Sequence, residues 1–206
     1  MVERVAIFVD YQNVYMGARR AFGARLVDGT IDEASTFGQV NPRLLGRWLV
    51  ESRPFDRELV YVQLYRGLPS STHDPKGYGA TRRQVDAWNK QDRVRAITKP
   101  LRYTNGRSPQ EKGVDVALAV DLVMGARDVD FQVAVVFSAD TDLVPALDAV
   151  MESGRKIEVA TWQPAPGQGS RSEIRPTTGE WWSHRMRRAD YDKVCDHTDY
   201  NVPTSS

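Results

Sequence analysis

The stretch that decides the fold is QVAVVFSADTDLVPALD, residues 132–148. It begins with an uninterrupted apolar run, Val133–Phe137, and the lack of alternation with polar residues predicts a strand buried on both faces. An apolar helix pattern takes over at Leu143. Asp140 and Asp142 therefore lie where a buried strand passes into a helix, which is the edge at which open α/β sheets bind ligands.

Helix capping is an alternative explanation for these two acids. Asp140 is a good N-cap residue, and the helix dipole favours Asp142 in the first turn. Taken alone, the stretch leaves capping and ligand binding equally open, so the rest of the chain has to discriminate between them.

Four further apolar runs predict strands, separated by helix patterns. They cover residues 4–9, 58–65, 93–98 and 156–161. This alternation predicts a single α/β domain with a doubly wound, parallel central sheet of about five strands flanked by helices. The domain is predicted to span residues 1–192, and a loosely ordered tail is predicted over residues 193–206.

The composition indicates a soluble globular protein and excludes several kinds of site. The formal net charge is +1, so no strong basic field indicates a nucleic-acid ligand, although a local basic patch is compatible with this total. The single cysteine, Cys195, excludes an internal disulfide and a cysteine-rich zinc site. No stretch reads as a signal peptide or a membrane span, so we expect a cytoplasmic protein without a membrane partner.

Two more acids repeat the pattern of the opening stretch. Asp10 ends the first strand, where it also suits a helix cap, and Asp115 lies in the first turn of an apolar helix predicted over residues 112–124. Carboxylates that converge on one sheet edge repel one another unless a cation neutralises them. An all-oxygen ligand set favours Mg²⁺ or Mn²⁺ over zinc, and such an ion suits phosphodiester hydrolysis.

The helix over residues 112–124 carries a second acid, Asp121. It lies roughly 120° around the helix axis from Asp115, so we expect a structural or supporting role for it. The stripe predicted to pack on the core consists of Val116, Ala119, Val120 and Val123.

Three segments of the sequence resemble the NYN domain, a family of PIN-like nucleases, and in particular its bacterial LabA-like branch. They are FVDYQNVY at residues 8–15, KGVDVALAVDLV at 112–123 and FSADTDLVPALDAVMESGRKIEVAT at 137–161. SHRMRRAD at 183–190 is similar to the closing motif of that branch. The resemblance implies a PIN-like, Rossmann-like sheet with the first strand at its centre, a divalent metal and ribonuclease activity.

Carried over residue by residue, the resemblance implies a set of acids and one amide. The implied metal ligands and catalytic acids are Asp10, Asp115, Asp140 and Asp142. Asn13 would orient water or phosphate through its amide. Two departures from the family pattern are Ala139, where glycine is usual, and Tyr11-Gln12, where Gly-Glu or Gly-Ser is common. The set predicts a metal-dependent ribonuclease acting on single-stranded or structured RNA.

Basic and aromatic side chains add candidates for RNA contact. The basic candidates are Lys112, Arg82, Arg83, Arg102 and Arg107. Trp181 and Trp182 are candidates for stacking on bases, with covering of the core as the alternative. The sequence is also compatible with a homodimer.

Three other functions are alternatives to the ribonuclease. A catalytically silent member of the family would keep the fold and bind RNA or protein. A haloacid-dehalogenase-like phosphatase needs an acid two residues after its nucleophilic aspartate, where this chain has Gln12. A nicotinamide-binding enzyme needs a glycine-rich turn after the first strand, and no glycine occurs between Asp10 and Met16.

Overall fold

The computed structural model describes residues 2–24, 30–31, 33–104, 108–128, 130–167 and 172–202. Its strands are β1 (Glu3–Asp10), β2 (Arg57–Leu68), β3 (Val94–Pro100), β4 (Val133–Phe137), β5 (Lys156–Trp162) and β6 (Trp182–Met186). They form one sheet in the order β3-β2-β1-β4-β5-β6, and every neighbouring pair is parallel. The predicted doubly wound parallel sheet is confirmed.

Helices cover both faces of this sheet. In the described part of the chain they are α1 (Tyr11–Phe22), α2 (Pro42–Glu51), α3 (Pro75–Asn89), α4 (Val114–Arg127), α5 (Val144–Glu152) and α6 (Arg188–Val194). One face holds α1, α2, α3 and α6, and the other holds α4 and α5. The chain leaves β1 toward one face and leaves the adjacent β4 toward the other. The carboxyl ends of these two strands therefore form the topological switch point.

The two central strands fill the core on both sides. Every residue of β4 is buried, as is the chain from Val5 to Asp10. Val9 packs with the helices on the α1 side, and Phe8 packs on the α4 side. Because side chains alternate along a strand, Asp10 continues on the α4 side.

The prediction of about five strands missed β6. Its sequence, WSHRM, is polar, and only His184 and Met186 are buried. His184 is buried because its ring lies 2.7 Å from the carboxylate of Glu158 on β5. A tertiary contact between His184 and Glu158 therefore holds this strand beside β5, and no apolar pattern signals it.

The helix α4 packs through a different stripe from the predicted one. Of the predicted stripe, Ala119 and Val123 pack partly against the core, whereas Val116 and Val120 are 60% and 53% exposed. Val114, Leu118 and Leu122 make the core contact instead. The helix is apolar almost all round, so its periodicity does not single out one face. The exposed valines are compatible with a homodimer, which stays a prediction.

The described part of the C-terminal segment contacts the domain. Cys195 pairs with Val40 in an antiparallel bridge, and Arg83 donates a hydrogen bond to the Tyr200 carbonyl oxygen at 2.8 Å. The boundary at residue 192 itself stays a prediction. None of the helices in the described ranges is long and apolar enough to cross a membrane, and a cytoplasmic location also stays a prediction.

Candidate functional site

Asp10 is the central acid of the carboxyl edge. It ends β1, caps α1 and is only 5% exposed. Its Oδ1 accepts a hydrogen bond from the Asn13 backbone N–H at 3.2 Å. Its Oδ2 accepts one from the Asn13 amide at 2.5 Å and one from the Ser138 hydroxyl at 3.0 Å. Asp10 therefore serves as a cap and also faces the end of β4 across the switch point.

The charge of Asp10 is not neutralised by the described part of the protein. Burial raises the pKa of Asp10 more than the hydrogen bonds from Asn13 and Ser138 lower it, and the negative charge of Asp140 raises it further. No lysine, arginine or histidine among the described residues forms an ion pair with Asp10, Asp115 or Asp140.

Ser138 couples Asp10 to Asp140. Its hydroxyl donates to Asp10 and accepts from the Asp140 backbone N–H at 3.1 Å. Asp140 also caps a single 3-10 turn, Thr141–Leu143, because its Oδ1 accepts from the Asp142 backbone N–H at 3.0 Å. Capping is thus one role of Asp140, and proximity to Asp10 is a second feature that capping does not explain. The side chain of Asp142 is exposed.

The second wall of the site precedes and begins α4. Gly113 has a φ of 76°, a left-handed conformation that favours glycine, and Asp115 lies in the first turn of the helix that follows. Glu111 precedes this turn, and although the residue is exposed, its Oε1 accepts the Gly67 backbone N–H at 2.6 Å.

Electrostatics link Glu111 to the other acids. Burial of its carboxylate raises the pKa of Glu111, and the charges of Asp10 and Asp115 raise it further, which together outweigh the lowering by the Gly67 hydrogen bond and by Arg66. We call Asp10, Glu111, Asp115 and Asp140 the acidic cluster. Sequence reasoning missed Glu111, and the available signal was an acid two residues before a glycine that opens a helix.

The donor chemistry of the acidic cluster fits a hard divalent cation, because carboxylate oxygens are the ligands that Mg²⁺ and Mn²⁺ prefer. In the ranges that the structure describes, no group of three acidic, histidine or cysteine side chains is arranged to hold an ion. Two properties of the acidic cluster therefore suit a cation: its donors are carboxylate oxygens, and Asp10 has no described ion-pair partner. The described acids do not form a complete coordination shell.

A cavity of about 300 Å³ opens beside Asp10, between α1 and the carboxyl ends of β4 and β5. Asn13 and Ser138, which both hold Asp10, line it. Its apolar wall includes Phe137 and Trp162, whose ring centroids lie 4.9 Å apart. Both side chains are at most 5% exposed, so the cavity beside Asp10 offers little open aromatic surface.

The basic residues predicted to contact RNA lie in different environments. Lys112 is exposed directly before α4, and Arg102 is exposed earlier in the same connection. Arg82 is exposed on α3, whereas Arg83 is half-buried and holds the C-terminal segment. Arg107 lies outside the described residues.

Two other candidates lie apart from the acidic cluster. Asp121 accepts a hydrogen bond from the Tyr65 hydroxyl at 2.9 Å, which is a structural contact of the kind predicted. Trp182 begins β6 at the amino edge of the sheet, where the Arg53 guanidinium lies 3.9 Å from its ring centroid. The direction of β6 places Trp182 at the edge opposite the acidic cluster, and its stacking on bases stays a prediction.

Comparisons with known proteins agree with this fold. A family model described as the NYN domain matches residues 4–174. The chain is similar to the crystal structure of a Vibrio parahaemolyticus protein of unknown function, with a TM-score of 0.51 and 20% identity over 82% of this chain and 85% of that one. At this identity the similarity supports the fold alone. No curated protein sequence matches the chain.

Proposed function

This chain belongs to the NYN domain family of PIN-like nucleases, and from that premise we propose that it is a divalent-metal-dependent ribonuclease of the LabA-like branch. The observation that carries the proposal is the state of Asp10. This carboxylate is buried at the switch point, its pKa is raised by burial and by Asp140, and no described basic side chain neutralises it. Such a carboxylate is stabilised by a cation from outside the protein.

The acids of the carboxyl edge would hold Mg²⁺ or Mn²⁺. In this proposal Asp10 and Asp140 bind the ion together with Asp115, and Asp142 binds it or orients one of its waters. When bound, such a cation lowers the pKa of the attacking water and stabilises negative charge on the phosphate. Glu111 adds negative charge from the second wall, where the Gly67 amide holds it.

Asn13 and Ser138 are positioning residues in this scheme. Together they supply three hydrogen bonds that hold both oxygens of Asp10. A carboxylate fixed in this way loses little conformational entropy when it binds an ion. The Asn13 amide thus donates one hydrogen bond to Asp10. In this proposal it also orients water or phosphate, as the sequence predicts.

The surroundings of the acidic cluster suit an RNA strand. Lys112 and Arg102 are exposed next to Glu111 and are proposed to meet backbone phosphates. The cavity lined by Asn13 and Ser138 is proposed to receive a base beside the cleaved bond.

The direct test is incubation of the purified protein with total RNA and Mn²⁺ or Mg²⁺, followed by mapping of the cut ends. The Asp140→Asn variant keeps the shape of the side chain and its capping bond but removes the charge, so cleavage should disappear. Asp86→Asn, an exposed acid on α3, is the matched control and should cleave like the parent. Unchanged cleavage in Asp140→Asn would overturn the scheme.

The open spacing of the described acids favours a second candidate, a catalytically silent NYN module that binds RNA or protein. Binding of Mn²⁺ and of an oligoribonucleotide without turnover on total RNA would support this candidate. Cation-dependent cleavage that Asp140→Asn abolishes would exclude it.

A further inference from the structure

A second, polar pocket lies on the α1 side of the sheet near Asp10. It has a volume of about 210 Å³, and its lining includes Tyr11, Gln12, Tyr15, Gln39, Arg66 and Gln84. Asp10 on β1 pairs with Tyr65 on β2, and Arg66 is the next residue. The pocket and the acidic cluster therefore share one sheet edge, while their side chains lie on opposite faces of it.

Arg66 is held firmly in this pocket. Its guanidinium donates hydrogen bonds to the Gln84 side-chain oxygen and to the Thr81 hydroxyl, the latter at 3.3 Å. The guanidinium carbon lies 4.8 Å from the centroid of the Tyr11 ring, which is a cation–π contact. These contacts orient the group but bring no negative charge to it.

A buried chain of polar groups supports this arrangement. Gln84 is 4% exposed, and its amide donates to the Tyr11 hydroxyl at 2.9 Å and to the Gln39 oxygen at 2.6 Å. The buried Tyr11 ring therefore supports the guanidinium from one side, and Gln84 holds both groups in place. The pocket is thus specifically built around one arginine.

The charge of Glu111 attracts Arg66 through space, but the two side chains form no ion pair in the described part of the chain. No acid lines the described pocket, and Arg66 forms no ion pair within the described ranges. Its Nε is buried and has no hydrogen-bond partner among these residues. Burial lowers the pKa of Arg66 more than the neighbouring Tyr11 and Glu111 raise it. An anion would compensate this charge, and the guanidinium fork matches phosphate oxygens.

We propose that this Arg66 pocket binds a phosphate of the RNA strand other than the one that the acidic cluster cleaves. The inference rests on the proposed function and deepens it, because it assigns the side chain that holds the strand in register. A strand that lies along the carboxyl edge meets Asp10 on β1 and Arg66 on β2 in turn. Arg66 is thus a substrate-binding residue, and Tyr11 and Gln84 position it.

The test measures RNA binding and does not depend on cleavage. A fluorescent single-stranded oligoribonucleotide is titrated with Asp140→Asn protein at several NaCl concentrations without divalent cations. Adding Arg66→Gln should weaken binding about tenfold, the effect of one charge-assisted contact. It should also reduce the slope of log affinity against log salt by about 0.7, the value for one phosphate on a single strand.

Two further variants separate charge from geometry. Arg66→Lys keeps the charge without the fork, so it should retain the slope and lose less affinity than Arg66→Gln. Arg47→Gln, an exposed arginine on α2 that pairs with Glu51, should change neither value. An unchanged affinity and slope in Arg66→Gln would overturn the inference.

Inorganic phosphate provides a measurement on the unaltered protein, should Arg66→Gln fail to fold. In ¹⁵N-labelled protein the Arg66 Nε–H signal is assigned by its disappearance in Arg66→Lys, and phosphate should shift it. No shift would overturn the inference, and so would a shift combined with normal RNA binding in the Arg66 variants, which would indicate a free phosphate ligand. Arg66-dependent RNA binding without any cleavage would overturn only the proposed function.

Discussion

The two edges of the sheet each hold a buried carboxylate, and the two carboxylates differ in their ion-pair partners and in the direction of their pKa shifts. At the carboxyl edge, Asp10 is 5% exposed, accepts hydrogen bonds from Asn13 and Ser138 alone among the described contacts, and has a raised pKa. At the amino edge, Glu158 is 4% exposed and forms ion pairs with Arg53 and Arg57. This fold is therefore able to neutralise a buried carboxylate with its own side chains, and it leaves Asp10 without that compensation.

The compensation of Glu158 is extensive. Arg57 donates two hydrogen bonds to it, at 3.0 and 2.7 Å, and His184 lies 2.7 Å away. Burial alone would raise the pKa of Glu158, but the hydrogen bonds from His184 and Arg57 outweigh burial and lower the pKa to about 2. Arg57 also reaches Glu3 at 3.0 Å, so the network joins β1, β2, β5 and β6. Its role is structural, in contrast to the site around Asp10.

The largest expected effect is on cleavage by Asp10→Asn. We expect the rate to fall at least about a thousandfold, or about 4 kcal/mol of transition-state stabilisation. Asparagine still caps α1 and no longer buries a charge, so the free energy of unfolding should stay within about 1 kcal/mol of the parent or rise. Cleavage of an oligoribonucleotide with Mn²⁺ and urea denaturation measure the two quantities. A large loss of stability in Asp10→Asn would show that Asp10, like Glu158, has a structural role.

Glu158→Gln should have the opposite profile. Removing the carboxylate leaves Arg57 and His184 short of a buried partner, and we expect a loss of about 3 kcal/mol of stability. For a chain of this length the melting temperature should fall by roughly 6–12 °C. Glu51→Gln, which breaks an exposed pair with Arg47, should cost less than about 1 kcal/mol. Cleavage per folded molecule should be normal, and a selective loss of activity would contradict the structural role.

The pH dependence of stability should also trace to Glu158. Its folded-state pKa of about 2 lies below the ordinary value of 4.5, so the ionised group stabilises the fold above pH 4.5. That stability is lost as the pH falls from 4.5 through about 2, and it amounts to roughly 3 kcal/mol. Urea midpoints at pH 6, 4 and 3 should therefore decline more steeply for the parent than for Glu158→Gln, and parallel curves would be the contrary result.

Cation binding should stabilise the folded protein through Asp10 at the carboxyl edge and not through Glu158 at the amino edge. Because an ion bound to the native state stabilises it by mass action, Mn²⁺ at about 100 times its Kd should add about 2.7 kcal/mol. Thermal unfolding should show this gain in the parent and in Glu158→Gln, and not in Asp10→Asn. An equal gain in Asp10→Asn would place the ion elsewhere.

Glu111→Gln should have the smallest effect. The amide oxygen still accepts from the Gly67 N–H, while the charge next to Asp10 and Asp115 is lost. We expect about tenfold slower cleavage, equal to about 1.4 kcal/mol, and no loss of stability. Kinetics at saturating Mn²⁺ provide the measurement, and a normal rate would restrict Glu111 to holding β2.

Several features followed from the amino-acid sequence by itself. The apolar runs of β1 and β4 predicted buried parallel strands, because burial on both faces removes the alternation of polar residues. Asp10 and Asp140 then fall at one edge of the sheet, since parallel strands end on the same side. The strand β6 and the packing face of α4 did not follow, because one is polar and the other is apolar almost all round.

Only the tertiary structure decided which carboxylates are neutralised. Ser138 reaches Asp10 across 128 positions of the chain, and Arg57 reaches Glu158 across 101. Local pattern does not encode contacts at such separations, so Arg66 carried no sequence signal as a site residue, and the glycine that follows Glu111 was only an indirect one. Asp10 and Asp140 were evident in the sequence, but the absence of a described ion-pair partner for them, in contrast to Glu158 at the other edge, is a property of the folded chain.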